Sequence, residues 1–113
     1  MNVLEKIDAR LIVRELKQIL VENLGDIVSD VILYGSQLTG KAHENSDVDV
    51  LIILNTDYDW KKKREISDLC YQIDLKYDVF LDTQIISVNE LKNSIRGKHP
   101  IFTNAIVEGY HAW

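Results

Sequence analysis

Two features of the stretch YGSQLTGKAHENSDVDVLIIL, residues 34–54, could do chemistry together: Gly35-Ser36 closes one apolar run, and Asp47-Val48-Asp49 opens the next. Alternate side chains of a strand leave from one face, so Asp47 and Asp49 point the same way while Val48 and Val50 turn to the core. Two carboxylates held this close repel and raise each other's pKa unless a cation or a proton lies between them. Mg²⁺ resolves that conflict, because it takes oxygen ligands, keeps some waters and draws others from substrate phosphates. Two such ions about 3.5–4 Å apart can activate an attacking hydroxyl and neutralise a leaving pyrophosphate. A third carboxylate completes such a set. Asp78 is the foremost candidate, in a segment expected to form the neighbouring strand, with Asp82 on the same face four residues on and Asp74 set back on the preceding helix. At Gly35 the missing Cβ lets backbone approach the β- and γ-phosphates, to which the Ser36 hydroxyl and the turn N–H groups donate.

Gly35, Gly40 and Lys41 also satisfy G-x-x-x-x-G-K after a strand, the pattern of a phosphate-cradling P-loop. That reading fails twice. Ala42 stands where the metal-binding hydroxyl belongs, and Val48 follows too soon for the helix that a parallel crossover needs.

The elements that position these residues can be read from periodicity. Leu4, Ile7, Leu11, Ile12, Leu16, Ile19, Leu20 and Leu24 recur every three or four residues, which predicts a helix ending near Gly25. Val28 to Tyr34 and Val48 to Leu54 are short, β-branched runs that predict buried strands. A helix is expected from Trp60 to Leu75, capped by Asp57 or Asp59. A third strand is expected over Tyr77 to Leu81, with Gln84 to Val88 extending it or pairing beside it. Ser87 and Glu90 have capping-box spacing for a helix through Arg96 closed by Gly97, and Pro100 starts a last short helix. The order predicts an α/β (α+β) fold, a small mixed sheet flanked by helices.

The 113 residues fit one domain, 1–113. With 46% hydrophobic and 27% charged residues the chain is expected to be soluble, and no apolar run approaches the roughly 18 residues of a membrane span. An N-terminus without an apolar signal core and a lone Cys70 point to a cytoplasmic setting. The net charge of −5 argues against direct, non-specific nucleic-acid binding, while carboxylate-held cations still admit a nucleotide. The run KKKR at 61–64 is expected to be a solvated helix face, and His43, His99 and His111 lack metal-ligand spacing. Trp60 and Trp113 are expected in the core or on a partner surface.

Gly35-Ser36, ten intervening residues and Asp47-Val48-Asp49 match the GS-x10-DxD signature of the nucleotidyltransferase superfamily related to DNA polymerase β. Over nearly its whole length the chain resembles a minimal nucleotidyltransferase domain. Ser46 precedes the first aspartate as it often does there, Tyr77-Asp78-Val79-Phe80 resembles the third-carboxylate strand, and Glu108-Gly109 resembles an acidic-glycine pair frequent near the C-terminus. The chain departs from many members at Leu38 and Thr39, where a small residue and an arginine are usual; Lys41 is the substitute cation, a point charge rather than a bidentate fork.

The resemblance implies transfer of a nucleoside monophosphate, AMP from ATP before other nucleoside triphosphates, onto a hydroxyl with release of pyrophosphate. It implies two Mg²⁺ ions bound by Asp47 and Asp49, with Asp78 holding the catalytic ion and helping to deprotonate the acceptor. Gly35, Ser36 and Lys41 would hold the triphosphate. Stand-alone minimal nucleotidyltransferases resemble the antitoxin of pairs in which they adenylylate and silence a HEPN-domain ribonuclease, so a HEPN-domain protein is the implied partner, and a homo-oligomer a further possible assembly. Two other readings are a binding module that neutralises such a partner by contact alone, and a subunit of a small-molecule (antibiotic) nucleotidyltransferase, a class that normally adds an acceptor-binding domain.

Overall fold

The computed structural model describes residues 8–35 and 47–112. Helix α1 spans Ala9–Leu24, β1 Val28–Tyr34, β2 Val48–Leu54, α2 Trp60–Tyr77, β3 Leu81–Ser87, α3 Val88–Asn93, α4 Pro100–Glu108 and β4 Tyr110–His111, with short 3-10 turns at Gly25–Ile27 and Arg96–Lys98. The four strands form one mixed sheet in the order β3-β2-β1-β4. The β1 strand is antiparallel to both β2 and β4, and β2 is parallel to β3 across the α2 crossover.

The period-two pattern of β1 and β2 gives each a buried side chain on both faces. On one face Val31, Leu33, Val50, Ile52 and Leu54 pack with Ile12, Leu16 and Leu20 of α1 and Ile66, Leu69 and Ile73 of α2. On the other, Ile32, Leu51, Ile53 and Ile86 pack with Phe102 and Ala105 of α4, edged by Val88 and Leu91 of α3. Cys70 is a small core residue on α2, and burial pushes its thiol up to about 12. Gly109 lets the end of α4 abut the sheet, since a Cβ there would meet Ile32 Cγ2 at 2.5 Å and the Leu33 carbonyl at 2.9 Å.

Several boundaries move from their expected places. Asp8 caps α1 by accepting from Arg10 N, and Val13 belongs to the buried stripe where Leu11 is half exposed; Leu4 and Ile7 lie outside the described residues. Asp59, not Asp57, caps α2. The predicted third strand at Tyr77–Leu81 is instead the end of α2 and a left-handed turn at Asp78, and pairing starts at Leu81. Side-chain alternation cannot separate these outcomes, because Asp78 and Phe80 are exposed in either one. The capping box at Ser87 and Glu90 forms as expected, but its helix stops at Asn93 and Gly97 is buried in the following 3-10 turn. The two-residue β4 carries too short a pattern to be anticipated. Lys61, Lys63 and Arg64 are exposed, as is Trp60, with Lys61 Nζ 5.7 Å from its ring centroid; Trp113 and His43 lie outside the described residues. No helix among the described residues is long and apolar enough to cross a membrane.

Candidate active site

The sheet aligns three polar side chains at one end. Tyr34, the last residue of β1, stands opposite Asp49 on β2, and Asp49 stands opposite Asp82 on β3. Directly opposed residues share a face, here the one that carries Ile32, Leu51 and Ile86. The apolar core of that face therefore gives way at its end to a row of one phenol and two carboxyls.

Gly35 follows Tyr34 with φ 80°, a conformation that a residue with a Cβ holds only under strain. Space imposes the same choice: a Cβ would lie inside the Asp49 carboxyl group, 3.0 Å from Cγ and closer still to Oδ2. The bare backbone of the turn and the Asp49 carboxylate are thus in direct contact.

Asp49 is half-buried, and its carboxyl is held above the usual carboxylate range first by burial, then by the charge of Asp82, the charge of Asp47 and a hydrogen bond with Asp82. Tyr34 is pushed up to about 12 by burial and by Asp49 and Asp82. Crowded carboxyls that resist ionisation together favour a hard cation. The donor set of Asp49, Asp82 and the exposed Asp47 fits Mg²⁺ in chemical type. Among the described residues no three His, Cys, Asp or Glu side chains already converge on one point. Asp49 and Asp82 are paired, and Asp47 stands at the rim of the strand.

Asp78 is not part of this row. It caps α2 in the left-handed region with φ 53°, exposed, and its N–H donates to the Asp74 carbonyl. Asp74 is occupied structurally, its Oδ1 accepting from Leu81 N at 3.0 Å where the helix hands over to β3. The alternative named from the sequence, Asp82, is the residue brought opposite Asp49. Ser36 and Lys41 lie outside the described residues. The antiparallel pairing of β1 with β2 removes the P-loop reading, which requires a parallel crossover. Tyr34 was passed over in the sequence as the end of an apolar strand; its even-numbered spacing from Ile32, just before Gly35, was the available signal.

Comparison with known proteins is consistent with this geometry. A family model described as a nucleotidyltransferase domain matches residues 13–102. A protein of Methanocaldococcus jannaschii named "Putative protein adenylyltransferase" is 36% identical over 83 residues, 74% of this chain and 83% of its own. Among solved structures, the toxin-antitoxin MntA-HepT is similar with a TM-score of 0.54 at 16% identity, over 92% of this chain and 71% of that one. A toxin-antitoxin solved with AMP-PNP gives a TM-score of 0.57 at 19% identity, over 94% of this chain and 72% of that one. At these identities the solved structures establish the fold.

Proposed function

Because the chain belongs to the nucleotidyltransferase domain family, we propose that it moves AMP from ATP onto a hydroxyl of a partner protein, as the antitoxin-like member of a pair with a HEPN-domain toxin. Residues 1–113 act in this reading as one nucleotidyltransferase domain. The observation that carries it is the Asp49 carboxylate set between Gly35 on one side and Asp82 on the other. The protein target is supported by the likeness to the Methanocaldococcus jannaschii protein named "Putative protein adenylyltransferase", and the partner by the likeness to toxin-antitoxin structures.

Each residue has a part in the transfer. Asp47 and Asp49 would hold two Mg²⁺ ions, and Asp82 would take the third-carboxylate role first expected of Asp78. When bound, these ions neutralise the triphosphate and lower the pKa of the attacking hydroxyl. The turn at Gly35, with Ser36 and Lys41, holds the β- and γ-phosphates through donors that gather negative charge as pyrophosphate leaves. Asp82 accepts the proton of the incoming hydroxyl. Tyr34, opposite Asp49, keeps its phenol protonated and so adds no further charge to the row.

The test is incubation with ATP labelled at the α-phosphate, Mg²⁺ and the protein encoded by the adjacent gene, comparing wild type with Asp47→Ala/Asp49→Ala. Label on the partner with wild type alone supports the reading. If no label transfers and the double variant still neutralises the partner, contact rather than chemistry is the function.

A further inference from the structure

Resting on the transferase reading above, we propose that a groove beside Asp82 seats the acceptor, as an acidic peptide segment of the target protein that carries the hydroxyl to be modified. The groove, ≈ 580 Å³, is lined by Gln84 of β3, by Ile95, Arg96, Lys98 and His99 of the turn after α3, and by Phe102 of α4. Gln84 lies two residues beyond Asp82 on the same strand and therefore on the same face. The groove thus continues along β3 from the carboxyl row.

Its position fits the direction of attack. In a displacement at phosphorus the entering and leaving oxygens lie on opposite sides of the atom transferred. Gly35 flanks Asp49 on the β1 side and Asp82 flanks it on the β3 side. With pyrophosphate held toward Gly35, the acceptor hydroxyl arrives from the β3 side, where the groove opens. The acceptor oxygen forms a bond to the α-phosphorus, and the bond from that phosphorus to the bridging oxygen breaks, its electron pair leaving on pyrophosphate. The hydroxyl proton passes to Asp82. The nucleoside oxygen is in line with neither bond and needs no place on that axis.

The lining identifies the occupant. Ile95 is 91% exposed and offers an apolar contact at the edge of the groove. Phe102 forms a buried floor with the Arg96 guanidinium 5.0 Å from its ring centroid. Arg96 is already committed to Glu90 Oε2 at 3.2 Å and to the Ile85 carbonyl at 2.9 Å, so it shapes the wall. Lys98 is exposed and makes no ion pair among the described residues. On a chain of net charge −5, Lys98 sets one positive charge at the edge of an apolar floor. It complements a peptide whose apolar side chain is flanked by carboxylates.

The test uses two fluorescein-labelled hexapeptides, Glu-Glu-Ile-Tyr-Glu-Glu and Lys-Lys-Ile-Tyr-Lys-Lys, followed by anisotropy with the wild-type protein and with Lys98→Glu and Ile95→Asp. Both substituted side chains are solvent-exposed, so the fold is not at risk. The acidic peptide is expected to bind the wild type more tightly than the basic one, by about tenfold or more, and each substitution to remove most of that preference. ATP affinity, read in parallel with a fluorescent analogue, is expected to stay within about twofold. Equal binding of the two peptides, or no binding of either, overturns the proposal. A loss of ATP affinity in the variants overturns it in another way, making the groove a nucleoside seat. Asp49-dependent release of pyrophosphate from ATP reports the transferase reading separately, so the two can fail independently.

Discussion

The Asp49 carboxyl group rests against the bare Cα of Gly35, with Cγ 3.0 Å from where a Cβ would stand. Both a positive φ and this contact require glycine there. Gly35→Ala is expected to cost about 1–3 kcal/mol of stability and to reduce AMP transfer about 100-fold or more by displacing Asp49. Urea unfolding and label transfer on the same preparation check both numbers. A variant that is stable and fully active removes the role given to this turn.

Asp82 and Asp78 can be separated by conservative substitution. Asp82→Asn is expected to lower transfer about 100-fold or more, as loss of a catalytic carboxylate does, whereas Asp78→Asn leaves it within about threefold. Because Asp78 occupies the left-handed region at a helix C-terminus, Asp78→Gly is also expected to be neutral or to stabilise by about 0.5 kcal/mol. Full activity in Asp82→Asn with a collapse in Asp78→Asn would return the third carboxylate to its first expected position.

That exchange shows how far the sequence could be read. Gly35 and the Asp47-Val48-Asp49 strand head were legible because a short-range spacing and a period of two define them. The mixed sheet followed from β-branched runs flanking one long helix. Where α2 ends was not legible: YDVFLD satisfies an alternating pattern, and only the pairing of β3 with β2 in the register Asp49 to Asp82 decides between the two aspartates. The pairing of β1 with β2 likewise brings Tyr34 opposite Asp49, and β4 exists only as a partner for β1.

Ser87 is fully buried where β3 meets α3, its Oγ accepting from Glu90 N at 3.0 Å and donating to Asp57 Oδ1 at 2.9 Å. Ser87→Ala removes the cap and leaves Asp57 without that donor, at a cost of about 1–2 kcal/mol. Chemical denaturation measures it. A change of less than a few tenths of a kcal/mol would show that the cap is not stabilising this junction.

The edge strand β4 carries a pH-dependent contact. His111 Nδ1 lies 2.6 Å from Asp30 Oδ2, and Nε2 lies 2.9 Å from the Ile106 carbonyl. Burial alone would lower this imidazole, but the hydrogen bond to Asp30 and that to Ile106 more than offset it and hold its pKa above the ordinary 6.5. A group raised on folding contributes its full stabilisation below the unfolded pKa and loses it as pH rises through the folded one. The urea midpoint of the wild type, taken relative to His111→Gln, is therefore expected to be higher at pH 5.5 than at pH 8.5. An equal difference at both pH values, or the reverse order, contradicts the ion pair.

The most direct test of the central claim is the intact mass of the adjacent-gene partner after incubation with the protein, ATP and Mg²⁺. A partner heavier by one or more AMP units with wild type, and unchanged with Asp49→Ala or Asp82→Ala, is the expected result. An unmodified partner with wild type, or one equally modified by the two variants, contradicts it.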